Sequence, residues 1–142
     1  MSKRLFTTLA LLLLTTVWAV AQTSGRTIQV DVSYTGSGTV DASHKVYIAL
    51  WDSADFNAGP PVVIKSLDSK DGTVTFSDVQ KVPAYVTTVY DPAGTWDAQS
   101  PPPSGSSLGM YGTHPPTPDP IDAVPGKTAK VKVSFNDEAK MP

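Results

Sequence analysis

The segment from Thr27 to Tyr34, with the sequence TIQVDVSY, decides the fold class of this chain. Apolar and polar side chains alternate along it, with Ile28, Val30, Val32 and Tyr34 on one side and Gln29, Asp31 and Ser33 on the other. A period of two residues is typical of a β-strand that buries one face and exposes the other. The segment therefore predicts a half-buried strand and, with it, a β-sheet protein.

Further strands are predicted along the rest of the chain, at residues 45–51, 62–67, 73–76, 84–90 and 128–135, with a short one at Met110-Tyr111. Both sides of the 45–51 segment are largely apolar, which predicts a central strand. Asp71-Gly72 favours a tight turn, so the strands on either side of it are predicted to pair as a hairpin. Six or seven short strands separated by Gly and Pro predict an all-β, antiparallel sandwich.

Residues 91–120 interrupt this series of strands. Eight of the thirteen prolines of the chain fall in this segment, and proline lacks the backbone donor that a central strand needs. The segment is therefore predicted to be a long, proline-stiffened loop outside the sheet. Because binding residues concentrate on loops that a rigid scaffold positions, any specific function is expected here.

The first residues have the layout of a secretory signal peptide. Two basic residues precede an apolar run, and Ala19-Val20-Ala21 offers a cleavage site, so residues 1–21 are predicted to be removed on export. Threonines interrupt the apolar run, which is too short for a membrane anchor. Residues 22–142 are predicted to form one β-sandwich domain of 121 residues with a loosely held tail at 136–142. The protein is expected in the periplasm or outside the cell.

Composition argues against several classes of function. Without residues 1–21 the chain has nine basic and thirteen acidic residues, and this net charge of −4 does not favour a nucleic-acid partner. The chain has no cysteine, which excludes disulfides, a thiol nucleophile and cysteine metal sites. His44 and His114 are its only histidines, and neither lies in a nucleophile motif. No catalytic residue, no cofactor and no membrane span after signal removal is predicted, and the protein is expected not to be an enzyme.

One group of short motifs carries a family resemblance: Ala84–Asp91, Gly94, Asp97, Leu108-Gly109 and Tyr111-Gly112. Between about residues 45 and 135, and including Ala54-Asp55-Phe56 and the 72–76 strand, the chain resembles a family of small exported bacterial proteins. That family has no assigned function and is related to transthyretin-like and carboxypeptidase-regulatory-like domains. The resemblance implies export and an Ig-like or transthyretin-like β-sandwich. The family's loop after the fifth strand is longer and contains asparagines that this chain lacks.

Four aromatic residues are candidates for a ligand-binding surface: Trp51, Tyr90, Trp96 and Tyr111. Flat aromatic rings bury the apolar faces of sugars, while nearby carboxylates and hydroxyls bind the polar edges. Trp96 is the strongest candidate, because it lies in a loop and has no periodic reason to be buried. The alternative is that the four rings cover the end of the sandwich as part of its core.

Asp91 and Asp97 are candidate metal ligands, because calcium binds carboxylate and carbonyl oxygens. A calcium ion takes about six to eight oxygens, so Asp52, Asp55 or Asp119 would have to contribute from a distance. The alternative is that Asp91 caps the turn beginning at Pro92 and that Asp97 is solvated.

Met110 and His114 offer a thioether and an imidazole, which suit copper. Two ligands are too few for a complete site, and His44 is the only other histidine. Copper binding is therefore the weaker of the two metal hypotheses.

The sequence predicts an exported, non-enzymatic module of the cell envelope that binds a carbohydrate or a protein through residues 91–120. One alternative is a periplasmic protein that binds calcium or copper. Another is a structural domain without a specific ligand.

Overall fold

A computed structural model describes residues 25–142 of the chain. Seven strands follow one another in this part: β1 Thr27–Tyr34, β2 Val46–Trp51, β3 Val63–Leu67, β4 Asp71–Phe76, β5 Tyr85–Tyr90, β6 Ser107–Met110 and β7 Thr128–Phe135. The strands form two sheets with a shared core, and residues 25–142 contain no helix. The predicted all-β sandwich is confirmed.

The three-stranded sheet has the order β4-β1-β7. Its centre is β1, whose apolar side is buried as the alternation predicts: Ile28, Val30, Val32 and Tyr34. The β1–β4 pairing is antiparallel, whereas β1 and β7 run parallel. The antiparallel prediction therefore does not extend to the pairing of the first and last strands.

The four-stranded sheet has the order β3-β2-β5-β6, and all of its pairings are antiparallel. Strand β2 lies inside it, as its two apolar sides predicted. Val46, Ile48 and Leu50 point inward with Val86 and Tyr90 of β5 and meet the buried side chains of the three-stranded sheet. The core lies between the two sheets.

The predicted hairpin of β3 and β4 is wrong. Strand β3 pairs with β2 in one sheet and β4 pairs with β1 in the other, so residues 68–70 carry the chain across the sandwich. Asp71 and Gly72 do not form the turn but begin β4. The pairing with β1 places Val74 and Phe76 in the core. The burial of these two side chains favours β1 over β3 as the partner of β4.

The predicted loop at residues 91–120 is not continuous. A short strand was predicted at Met110-Tyr111, and β6 lies just before that position, at Ser107–Met110, where it divides the loop and adds an edge to the four-stranded sheet beside β5. The chain then returns to the core, where Ile121 and Ala123 are buried and Ile121 forms a bridge with Ala84. The proline-rich segment therefore supplies a strand, and the residues directly after it supply core side chains.

The tail is not loosely held, which corrects another prediction. The amide of Leu108 donates to the carbonyl of Ala139, and the amide of Met141 donates to that of Ser106, both at 2.8 Å. The amide of Gly105 in turn donates to the carbonyl of Met141, also at 2.8 Å. The tail thus covers the open edge of β6, as proteins commonly protect edge strands.

The predicted signal peptide, residues 1–21, lies outside the described residues. Within residues 25–142, no helix is long and apolar enough to cross a membrane.

Candidate functional site

The outward faces of the two sheets differ in chemistry. The three-stranded sheet presents only polar and charged side chains on its outer face: Gln29, Asp31, Ser33, Asp71, Thr73, Thr75, Thr128, Lys130, Lys132 and Ser134. The Thr73 hydroxyl donates to Asp31 at 2.7 Å and the Ser33 hydroxyl donates to Asp71 at 2.6 Å. This is the polar outer face that a solvated sheet normally has.

The outer face of the four-stranded sheet is largely apolar and carries no charged side chain. We call it the aromatic face, and it consists of Tyr47, Ala49, Trp51, Ile64, Ser66, Tyr85, Thr87, Val89, Leu108 and Met110. These residues share one face because cross-strand partners point to the same side of a sheet. Only Ser66 among them is exposed, and the others are half-buried or buried. Contiguous apolar surface on the outside of a sheet often marks a binding site.

Aromatic rings stand at both ends of β2 on this face. At one end Tyr47 contacts Trp96, with ring centroids 4.8 Å apart and an edge-to-face angle of 80°. At the other end Trp51 lies opposite Tyr85 of β5 and contacts Phe56, with centroids 4.9 Å apart. We call these pairings the Tyr47 wall and the Trp51 wall.

Small side chains lie between the two walls. Ala49 is halfway along β2, and its cross-strand partner on β5 is Thr87. Ala49 is only 5% exposed and Val89 only 6%, although both point away from the core, because the larger neighbouring rings shield them. The strip between the two walls, which we call the trough, therefore has aromatic ends and a middle of smaller side chains that are themselves covered.

The backbone around Asp91 holds Trp96 in place. The Asp91 carboxylate is 2% exposed and accepts three backbone amides. The amide of Ala93 donates to Oδ1 at 2.9 Å, and those of Thr95 and Trp96 donate to Oδ2 at 2.7 and 2.9 Å. Buried hydrogen bonds to a charged acceptor are among the stronger ones in proteins, so the start of this loop is fixed.

Further contacts fix the Trp96 ring and the chain on either side of it. The indole Nε1 donates to the carbonyl of Ser100 at 2.8 Å. Gly94 adopts a φ of +67°, and a Cβ there would lie 2.5 Å from the carbonyl oxygen of Ser43, so this turn requires glycine. Asp97 accepts the amides of Gln99 and Ser100, and these bonds lower the pKa of its carboxyl group.

Only two of the four predicted aromatic residues are associated with the aromatic face. Trp51 is one of its residues, and Trp96 packs against Tyr47 from the loop after β5, at the opposite end of the trough. Tyr90 points inward, is 3% exposed and donates its hydroxyl to the carbonyl of Thr39 at 2.8 Å. Tyr111 packs against the core cluster. For these two tyrosines the core interpretation is the correct one, because they fall on the inward side of the four-stranded sheet.

The candidate metal ligands have other contacts. Asp91 and Asp97 use their carboxylates to cap the backbone of their own loop. His114 Nδ1 lies 2.8 Å from the hydroxyl of Thr113, and His44 Nδ1 lies 2.9 Å from Asp41. Among residues 25–142, no group of three or more His, Cys, Asp or Glu side chains is arranged to hold a metal ion.

A second polar cluster, which the sequence did not reveal, joins the tail to β1. The hydroxyls of Tyr34 and Ser107 donate to Asp137 Oδ1 at 2.5 and 2.7 Å, and the amide of Ser37 donates to Oδ2 at 2.9 Å. These bonds hold the pKa of Asp137 well below the usual carboxyl range. Burial and the bond to Asp137 raise the pKa of Tyr34 to about 12. The cluster fastens the two sheets together.

A cleft of about 400 Å³ opens between the facing edges of β3 and β4. Its walls include Phe76 and Val79 of the core, and Trp51 lies at its border with the aromatic face. Lys65 of β3 donates to the carbonyl of Thr75 of β4, and Lys81 forms an ion pair with Asp52 at 3.1 Å. These contacts connect the rims of the cleft, which also has the exposed Val62 and Val63 in its lining.

Sequence reasoning missed Tyr47, Tyr85 and Phe56. The signal for the first two is the alternation itself, because Tyr47, Ala49 and Trp51 share one side of β2, and Tyr85, Thr87 and Val89 share one side of β5. What the alternation does not tell is which side faces the core. Phe56 lies in the loop after β2 and has no periodic signal.

Comparison with known proteins adds no relative from which a function could be transferred. No protein-family model matches the chain, and no curated protein or solved structure gives a significant match. The resemblance to an exported bacterial family and to transthyretin-like domains therefore stays a prediction, and the function is argued from geometry.

Proposed function

We propose that this protein is an exported, non-enzymatic module of the cell envelope that binds carbohydrate on the aromatic face. The observation that carries this proposal is the contrast between the two outward faces. One sheet has ten polar or charged residues on its outer face, whereas the other has an uncharged outer face with tryptophan and tyrosine at both ends. A soluble domain has no structural need for the second kind of surface.

The chemistry of the face suits sugars better than charged ligands. Aromatic rings bury the C–H face of a pyranose, and hydroxyl groups bind its edges. Thr87 and Ser66 supply hydroxyls beside the rings, and Tyr85 adds a phenol. The prediction that residues 91–120 form the binding surface is thereby modified. These residues contribute Trp96, Leu108 and Met110, while strands β2, β3 and β5 contribute the rest of the surface.

The first experiment is a titration of the exported chain, residues 22–142, with soluble oligosaccharides from neutral and acidic polysaccharides. The only tryptophans in this chain are Trp51 and Trp96, and both lie on the aromatic face. Binding there should therefore change the tryptophan fluorescence. Trp96→Ala should weaken binding by up to about tenfold, as expected for one lost aromatic contact.

Val124→Ala is the matched control, because Val124 is an exposed apolar residue in the turn before β7 of the other sheet. It should leave the affinity unchanged. If no saccharide alters the fluorescence, or if Trp96→Ala and Val124→Ala bind equally well, the proposal is wrong.

A further inference from the structure

We propose that the C-terminal tail, residues 136–142, is a releasable cover for the edge of β6, and that a second copy of this chain pairs with β6 when the end of the tail is displaced or removed. The inference concerns an interface between two copies and does not depend on carbohydrate binding. It follows from the guards on the sheet edges, the way in which the tail is held, and the absence of charge on β6.

The edge strands of the two sheets differ in how they are protected. These strands are β4 and β7 in one sheet and β3 and β6 in the other. A lysine on an edge strand commonly prevents pairing with another chain. Strand β7 carries Lys130 and Lys132, and β3 carries Lys65, which donates to the carbonyl of Thr75 on β4. Strand β6, Ser107–Met110, has neither a charged residue nor a proline, and its edge is the one that the tail covers.

The root of the tail is firmly held. Asp137 accepts hydrogen bonds from the hydroxyls of Tyr34 and Ser107 and from the amide of Ser37. Hydrogen bonds to a charged acceptor are among the stronger ones in proteins, and these connect the root to β1 and β6. The root therefore stays in place when the residues after it leave.

The end of the tail is held less firmly than its root. Three backbone hydrogen bonds connect it to residues 105–108. The side chains of Ala139, Lys140 and Pro142 are exposed, so little apolar surface is uncovered when this end leaves. Backbone bonds of this kind are exchanged for bonds to water or to another strand at a small net cost. The end of the tail is thus replaceable by another extended segment.

A second copy supplies the bonds that the tail gives up. Without the tail, the amide of Leu108 and the carbonyl of Ser106 lose their partners and form an open edge. Two β6 strands related by a twofold axis pair antiparallel, and directly opposed residues then exchange both of their backbone bonds. With Leu108 on the axis, its amide donates to the Leu108 carbonyl of the other copy, and the Met110 amide donates to the Ser106 carbonyl.

The absence of charge on β6 favours a second copy as the partner. Leu108 lies opposite its own counterpart in this pairing, and no like charges meet across the two strands. The equivalent pairing of two β7 strands would bring lysines close to lysines. Pairing through β6 extends the four-stranded sheet of one copy into that of the other.

The test measures the molecular mass of residues 22–142 by light scattering over a range of protein concentrations. Four chains are compared: the intact chain, the deletion of residues 139–142, the same deletion with Leu108→Lys, and Lys140→Ala as the control that keeps the backbone bonds of the tail. Circular dichroism confirms that each chain is folded.

We expect the intact chain and Lys140→Ala to be monomeric and the deletion variant to dimerise, with a dissociation constant at least about tenfold lower than that of the intact chain. Leu108→Lys places two lysines opposite each other on the axis and should abolish this gain. Hydrogen exchange locates the interface. The Leu108 amide should exchange fast in the dilute, monomeric deletion variant and regain protection in the dimer.

Met141→Pro tests displacement of the tail without truncation. This variant keeps the length of the tail but lacks the amide that donates to Ser106. It should dimerise more strongly than the intact chain and less strongly than the deletion variant. If the deletion variant does not fold, the comparison of Met141→Pro with the intact chain decides the question.

Four results would overturn the inference: tail variants that stay monomeric, an intact chain that dimerises as strongly as they do, a dimer that Leu108→Lys leaves intact, or a dimer in which the Leu108 amide is unprotected. Each of these results concerns the edge of β6 and leaves the proposed function to be decided by the saccharide titration.

Discussion

Asp91 has the structural purpose that the alternative interpretation of the sequence gave it, because its carboxylate caps the loop that begins at Pro92. Its carboxylate is buried under the loop that it organises and accepts the amides of Ala93, Thr95 and Trp96. A residue that suggested a calcium ligand thus determines where Trp96 stands. Its contribution to the proposed binding surface is indirect, since it positions the tryptophan of one wall.

The first prediction at this scale concerns Asp91→Ala. The variant leaves three backbone amides without their acceptor, and we expect the free energy of unfolding to fall by about 1–3 kcal/mol. In a Trp51→Phe background the emission of Trp96 should shift to the red, because the loop no longer holds the ring against Tyr47. Urea unfolding and fluorescence measure the two effects.

Asp97→Ala is the control for this variant. Asp97 is exposed and caps only Gln99 and Ser100, so its removal should lower the stability much less than Asp91→Ala does. Equal losses for the two variants would contradict the special importance of Asp91.

The second prediction concerns the pH dependence that Asp137 creates. Its pKa is lower in the folded state than the usual value of about 3.9 in unfolded chains, so the unfolded state binds more protons in acid. The stabilisation is complete above about pH 5 and is lost as the pH falls below about 4. Asp137→Asn should therefore be less stable than wild type at neutral pH, and the difference should shrink toward pH 2.

Tyr34 gives the opposite pH dependence, because its contribution to stability is lost as the pH rises. Its pKa is raised to about 12 in the folded state, against about 10 unfolded, so its contribution is present below about pH 10 and declines as the pH rises through about 12. Urea unfolding between pH 2 and 11 tests both arms. Glu138→Gln, a change at the exposed neighbouring carboxylate, should keep the acid slope; a pH-independent difference between wild type and Asp137→Asn would refute the assignment.

At the scale of elements, the choice of partner at the sheet edges accounts for the largest differences between the observed and the predicted strand pairing. The turn between β3 and β4 has suitable hairpin residues, yet the chain crosses to the other sheet, because Val74 and Phe76 are buried by pairing with β1. Turn chemistry acts over a few residues, whereas the choice of partner depends on burial contributed by the whole sandwich.

Deletion of residues 139–142 tests the tail. The deletion removes three backbone hydrogen bonds and exposes the edge of β6, and we expect a loss of roughly 1–3 kcal/mol in stability. The amide protons of Gly105 and Leu108 should exchange faster with solvent. The amide of Tyr111 donates to Val86 on the opposite side and should keep its protection.

Lys140→Ala is the control for the deletion, because it changes an exposed side chain and keeps the backbone bonds of the tail. It should have nearly wild-type exchange at Gly105 and Leu108. Unchanged exchange in the deletion variant would show that the tail does not protect β6 in solution.

At the scale of the whole molecule, the two sheets share one core but have outer faces of different chemistry. The three-stranded sheet has an outer face of charged residues and hydroxyls that suits contact with water. The four-stranded sheet uses its inner face for the core and leaves an uncharged aromatic face outside. The asymmetry of the sandwich is what distinguishes the proposed binding surface from the remainder of the protein.

The sequence by itself determined the fold class and the positions of most strands. Strict alternation is a local property, so β1 and β7 were predicted with the bounds that the structure has, and the two apolar sides of β2 indicated its central place. The alternation also grouped Tyr47 with Trp51. Trp96 stood out because its loop position gave no reason for burial.

Only the tertiary structure decided which strands pair, which side of each strand faces the core and where the aromatic residues meet. Tyr90 and Trp51 lie on adjacent strands of one sheet, yet the first is buried in the core and the second lines the trough. The partner of β4, the course of the tail and the contact of Trp96 with Tyr47 all join residues far apart in sequence. Such contacts depend on the burial and hydrogen bonding of the complete sandwich, which local patterns do not encode.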